Sequence, residues 1–173
     1  MSDISELSNT EHSHTFTWQD PMIGAMVART MSGLEYLRAM ANGDVPAAPI
    51  GALMNMQVAE VEEGRIVFTA VPEEYHYNPI GTVHGGFAAT LLDSALGCAV
   101  HTMLPVGTAY TTLEIKVNYL RPLTSSTGKV YCEGKVIHVG GRVATSEARL
   151  TDESGKLYAH GTTTCILMRP GRA

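Results

Sequence analysis

The stretch NPIGTVHGGFAATLLDSALGCAV, residues 78–100, governs how the rest of the chain is read. It opens on turn-forming residues and passes through Gly85-Gly86 into a run of small and apolar helix formers. A single carboxylate, Asp93, sits in the middle of that run. At about 100° per residue, Gly86, Thr90, Asp93, Ser94, Gly97 and His101 fall within an arc of about 100°. Apart from Thr102, the remaining positions from 87 to 104 are Phe, Leu, Ala, Val, Met and Cys. A helix apolar on most of its sides is buried on most of its sides. Segment 84–104 is long enough to cross a membrane, but His84, Asp93 and His101 argue for a core helix instead. Pro105 and Gly107 end it.

The flanking segments show what buries this helix. Upstream, MNMQVAEVEEGRIVFTAV (54–71) reads as two strands around a Glu-Glu-Gly turn. Downstream, TTLEIKVNYL (111–120) alternates, with Leu113, Ile115, Val117 and Tyr119 on one face and Thr112, Glu114, Lys116 and Asn118 on the other. Three more strands follow in KVYCEGKVIHV (129–139), RVATSEARLTD (142–152) and KLYAHGTTTCILM (156–168), with turns at Gly140-Gly141 and Glu153-Ser154-Gly155. Runs of strands with one long helix argue for an α+β fold, an antiparallel sheet of about six strands wrapped around the helix.

The N-terminal third is different. Residues 1–20 are polar and read as a flexible, solvated tail, with Trp18 set to dock just before Pro21. Residues 22–41 place Ile23, Val27, Met31, Leu34, Leu37 and Ala41 at helical spacing, which predicts one amphipathic helix. NGDVPAAP then breaks it. The organisation is therefore a tail over 1–20, a helix and link over 21–48, and one domain over 49–169.

Composition narrows the function. A chain of 173 residues with 45% apolar content supports one domain with a real core. The net charge is −5 with scattered Lys and Arg, which excludes a nucleic-acid surface. Cys98, Cys132 and Cys165 lie far apart with no C-x-x-C, so they read as small buried hydrophobes, not as a zinc site or redox pair. No basic-then-apolar leader is present, which points to the cytoplasm.

The helix carries the chemistry. Asp is a poor mid-helix residue, and a carboxylate held away from water is costly without partners. Asp93 is therefore a candidate general base or nucleophile. The free N–H groups at a helix start favour developing negative charge, and Gly85 and Gly86 have no side chain to block approach. That suits an oxyanion hole, with Asn78 and His84 as further donors. No Gly-x-Ser-x-Gly elbow, P-loop or dinucleotide fingerprint is present.

The joint pattern N-x-x-G-x-x-H-G-G with an Asp seven residues on (Asn78, Gly81, His84, Gly85, Gly86, Asp93) resembles the hotdog-fold thioesterases of the phenylacetate-degradation (PaaI) type. The likeness extends over about residues 50–168 in strand order. The resemblance implies hydrolysis of acyl-coenzyme A thioesters, with no metal or prosthetic group, in dimers or dimers of dimers whose sites form between subunits. By that resemblance Gly85 N–H and Asn78 polarise the thioester carbonyl, and Asp93 activates water or attacks directly. His84 positions neighbouring groups, and Thr112, or Thr111 in its place, holds Asp93 or the water. On strict alternation Thr112 faces away from Leu113 and Ile115, so its role requires a bulge or a site on that face. For coenzyme A, the resemblance points to Gly86 and to Gly140, Gly141 and Arg142, with Arg121 as a second basic candidate. Two other readings stay open: a hotdog enoyl-CoA hydratase or dehydratase, and a non-catalytic acyl-CoA-binding module.

Overall fold

The computed structural model describes residues 10–169. These form the helices α1 (Pro21–Val27), α2 (Gly33–Asn42), α3 (Pro49–Leu53) and α4 (Gly85–Thr102). The strands are β1 (Met56–Glu62), β2 (Arg65–Ala70), β3 (Ala109–Tyr119), β4 (Val130–Val139), β5 (Val143–Asp152) and β6 (Leu157–Met168). All six strands join one antiparallel sheet in the order β1-β2-β4-β5-β6-β3. The order explains the long helix. β2 lies next to one edge and β3 is the other edge, so α4 is the connection that carries the chain across the sheet. This is the hotdog arrangement expected from the sequence.

Helix burial follows the residue pattern. Leu91, Leu92, Ala95, Leu96, Ala99 and Val100 have no solvent exposure. Full burial of a leucine side chain contributes on the order of 1.5–3 kcal/mol. Two glycines set how closely other elements approach α4. A Cβ at Gly134 on β4 would lie 2.2 Å from the Ala95 carbonyl oxygen, and one at Gly33 on α2 would lie 1.8 Å from that of His101. The sheet and α2 thus rest directly on the α4 backbone.

The single helix expected over 22–41 is two helices. Asp20 caps α1 by accepting from the Met22 N–H at 2.9 Å, with Pro21 in the first turn. The chain turns over 28–32, and Ser32 starts α2 with a capping box: Ser32 Oγ accepts from the Glu35 N–H at 3.3 Å, and Glu35 Oε2 accepts from the Ser32 N–H at 2.9 Å. Only part of the expected apolar stripe is buried. Leu37 is covered, whereas Met22, Ile23 and Met26 of α1 are exposed. Gly43, with φ +83°, closes α2. Of the N-terminal tail, residues 1–9 lie outside the described residues. Residues 10–20 form no helix or strand, and the His14 ring stacks on Tyr75 with centroids 4.2 Å apart. No helix among the described residues is long and apolar enough to cross a membrane.

Two predictions test this packing. Gly134→Ala forces a methyl into the Ala95 carbonyl and should destabilise the fold by about 3 kcal/mol, the upper end of ordinary overpacking costs. Chemical denaturation should show the lower midpoint, and an unchanged midpoint would contradict the close approach. The three cysteines are unpaired, with Cys132 and Cys165 fully buried. Burial pushes the Cys98 thiol up to about 12 and raises those of Cys132 and Cys165. The thiolate is the reactive form, so iodoacetamide at pH 8 should leave all three unmodified in the native protein and label all three after denaturation, as read by mass spectrometry.

Candidate active site

The face of α4 turned from the sheet decides where chemistry can occur. The sequence implied a helix that buried Asp93 with the rest, but the structure leaves Asp93 exposed in the single chain. Its Oδ1 accepts a hydrogen bond from Thr112 Oγ1 at 3.0 Å. Strict alternation had set Thr112 on the opposite face from Ile115, and a bulge overturns that. The pairing of β3 with β6 slips between Thr112 and Glu114, leaving Leu113 as the extra residue, 56% exposed. Thr112 thereby joins the helix-facing side, where Ile115 and Val117 pack against the core. Thr111 falls on the other side.

The small and polar stripe divides into two halves. Toward the C-terminus of α4 the chain covers it itself. A Cβ at Gly97 would lie 2.9 Å from the Tyr110 ring, and the His101 ring lies between Tyr36 and Tyr110 at centroid distances of 5.6 and 5.3 Å. Burial lowers the pKa of His101, which favours the neutral ring. Toward the N-terminus the stripe stays accessible, with Gly86, Thr90 and Ser94 half-buried beside Asp93.

The start of α4 is set up for an electron-rich ligand atom. His84 is the N-cap, and its Nδ1 accepts from the Gly86 N–H at 2.8 Å. In the neutral ring this puts the proton on Nε2. The Gly85 N–H makes no hydrogen bond among the described residues. The Tyr119 ring lies over Gly85, 3.4 Å from where a Cβ would stand. Asn78 organises the approach loop. Its Oδ1 accepts from the N–H groups of Ile80 and Thr82 at 3.0 and 3.2 Å, and its amide donates to Thr82 Oγ1 at 3.0 Å. One amide hydrogen remains for a ligand. A pocket of about 330 Å³ opens here, lined by Asn78, His84, Gly85, Tyr119, Arg121 and Tyr158 among others. Arg121 donates to the Leu157 carbonyl at its rim.

The residues singled out in the sequence thus fall into three groups within one chain. Asp93 and Thr112 are together. Asn78, His84, Gly85, Gly86 and Arg121 gather at the helix start. Gly140, Gly141 and Arg142 form the exposed β4–β5 turn at the far end of the sheet, where the Gly140 N–H donates to the Val143 carbonyl at 2.8 Å and Arg169 donates to the Gly140 carbonyl. Val143 pairs with Ile166, which pairs with Thr111, while Tyr119 covers Gly85. The eight residue steps from 111 to 119 span about 26 Å. The rings of Tyr110 and Tyr119 are site components the sequence reading did not assign. Their signal was an aromatic at each end of the β3 run. Among the described residues no cluster of His, Cys, Asp and Glu is placed to hold a metal ion.

The chain's likenesses agree with the fold. The family profile described as Thioesterase superfamily matches residues 80–159, from the approach loop of α4 into β6. A solved protein of the thioesterase superfamily is 33% identical, with the match covering 79% of this chain and 98% of that one at a TM-score of 0.64. A variant of the phenylacetic acid degradation protein PaaI from Thermus thermophilus is 29% identical, covering 69% and 98% of the two chains at a TM-score of 0.62. Human acyl-coenzyme A thioesterase 13 is 28% identical over 141 residues, which are 79% of this chain and 94% of that one. A Halobacterium salinarum protein provisionally named an esterase is 35% identical, but the match spans only 56% of its length. Shared fold, shared profile and the arrangement around α4 converge: the chain belongs to the thioesterase superfamily.

Proposed function

We propose that the protein hydrolyses acyl-coenzyme A thioesters to the free acid and coenzyme A, at sites completed by a second copy of the chain. The observation that carries this reading is Asp93. It is an exposed carboxylate on an otherwise apolar helix, oriented by the Thr112 hydroxyl, and that helix begins with a Gly85 N–H unpaired among the described residues. In this reading Gly85 N–H and the remaining Asn78 amide hydrogen polarise the thioester carbonyl. Asp93 either takes a proton from the attacking water or attacks the carbon itself. Both routes need its carboxylate within about 3–3.5 Å of the reacting atoms. The bond between His84 Nδ1 and the Gly86 N–H supports a positioning role for His84, since the nitrogen a base would use is engaged. The chemistry is assigned to backbone and side-chain groups of the protein alone, with no metal or prosthetic group. Three unpaired thiols suit a reducing, cytoplasmic setting.

Distance supports the second copy. Gly85 and Asp93 are eight residues apart on one helix. That is about 12 Å along the axis, too far for both to serve one carbonyl. An antiparallel two-fold pairing of the α4 helices would set each Asp93 against the helix start and Asn78 of the other chain. The open N-terminal half of the stripe leaves room for this approach. β3 is an edge strand, a ready surface for another chain. The same pairing would turn the β4–β5 turn of one chain toward the helix start of the other. Arg121 and the partner's Arg142 are then the cations proposed for the coenzyme A phosphates.

Thiol release from a panel of acyl-CoAs tests the activity, with enoyl-CoA hydration followed in parallel. Release without hydration is expected. Asp93→Asn should retain the melting temperature and lower turnover by about 10² or more, the contribution typical of one general base. A folded variant with near wild-type turnover would remove Asp93 from the mechanism.

Complementation tests the shared site. Asp93→Ala and Asn78→Ala chains, each nearly inactive, are refolded together in equal amounts. Half of the randomly paired dimers are mixed, each with one intact site, so about a quarter of wild-type activity should return. No recovery, with mixed dimers shown to form, would place both residues in one chain's site.

A further inference from the structure

A second pocket, of about 370 Å³, lies between α4 and the N-terminal segment. One wall is the end of α2 and the link into α3, including Met40 and Gly51. Met56 and Val58 of β1 form another, and Ser94 and Cys98 supply the α4 side. None of its lining residues is charged. With its thiol pushed up to about 12, Cys98 presents a neutral surface. The pocket adjoins the reactive face of the helix, because Ser94 follows Asp93 directly and Cys98 lies one turn further on. The wall made by residues 40–51 lies outside residues 80–159, the span matched by the superfamily profile.

Gly51 is the informative residue. A glycine inside a helix costs about 1 kcal/mol relative to alanine, so its presence there wants a reason. Gly33 and Gly97 have a steric one, since a Cβ would fall within 3 Å of neighbouring atoms. Gly51 does not. Its φ is not positive, and a Cβ would meet only the Met56 carbonyl oxygen, at the ordinary contact distance of 3.4 Å. What a side chain at 51 would take up is the space Gly51 borders, which is the pocket. A cavity of roughly 150 Å³ suffices for benzene, and this one is more than twice that size.

We propose that this pocket receives the acyl group of the thioester, that the group is uncharged, apolar and larger than a benzene ring, and that Gly51 sets how deep it reaches. The proposal rests on the thioesterase reading above. It names the substrate class as medium-length alkanoyl or arylalkanoyl thioesters, whose tail runs from Asp93 along α4 past Ser94 to Cys98.

The test compares wild type with Gly51→Leu and the milder Gly51→Ala on acetyl-, butyryl-, octanoyl-, phenylacetyl- and adipoyl-CoA. One methylene gained or lost in an apolar pocket changes kcat/KM by about 10–200-fold. Gly51→Leu should therefore lower kcat/KM at least tenfold for octanoyl-CoA and leave acetyl-CoA within about threefold, with Gly51→Ala in between. The ratio of octanoyl to phenylacetyl turnover separates the alkyl from the aryl source. Adipoyl-CoA should be a poor substrate because its free carboxylate would enter an uncharged pocket. An equal loss on every substrate, no change in the profile, or good turnover of adipoyl-CoA would overturn the proposal. A second readout does not depend on catalysis. In methyl spectra of wild-type protein, the S-octyl thioether of coenzyme A should shift the Met40 and Met56 methyl signals, and the S-methyl thioether should not. If no acyl-CoA is hydrolysed but those shifts appear, the thioesterase reading fails and the pocket assignment stands. If hydrolysis occurs without those shifts, the reverse holds.

Discussion

Everything in this molecule depends on the burial of one helix. α4 is apolar on most of its circumference, and its leucines have no exposure. Such a rod is stable only when other elements wrap most of its surface. The sheet does this from one side, and it comes close because β4 carries Gly134 where it crosses Ala95. α2 covers part of another side through Gly33. What remains is one strip between β3 and the N-terminal segment. Asp93 lies on that strip, so the requirement to bury the helix also locates its one accessible carboxylate.

The strip is closed at one end by aromatic rings. Tyr110 lies against Gly97 and flanks His101 together with Tyr36. The open end has small residues, a carboxylate and a helix start with a donor unpaired among the described residues. This asymmetry follows from the connection that crosses from β2 to the opposite edge. β3 runs back alongside the helix it has just left, and its side chains decide which turns of α4 are covered. The bulge at Leu113 belongs to the same logic. Without the extra residue, Thr112 would point away and the Asp93 carboxylate would lose its hydroxyl donor.

The N-terminal segment packs against α4 and β1. Its helices are short and separately capped, and α1 is largely exposed. Their contribution to the fold is small beside that of α4 and the sheet. Their contribution to shape is larger, because they wall an apolar pocket beside Ser94 and Cys98 of α4.

Much of this was legible in the sequence, because the signals were local. The apolar run with Gly-Gly at its start and Pro105 beyond its end bounded α4 to within two residues. Period-two alternation and glycine turns located all six strands, since side-chain direction in a strand repeats every second residue. The Asn78, His84, Gly85 and Asp93 pattern drew attention to α4. The break between α1 and α2 was also written locally, in Ser32-x-x-Glu35, but a continuous apolar period masked it. Three features were decided only in the tertiary structure. The bulge that turns Thr112 to Asp93 depends on pairing with β6, which alternation within β3 cannot reveal. The exposure of Asp93 depends on which sides of α4 other elements happen to cover. The separation of Asp93 from the helix start and from Arg142 depends on how helix and strands cross. Each is a relation between segments far apart in sequence, set by packing, and no local pattern encodes it.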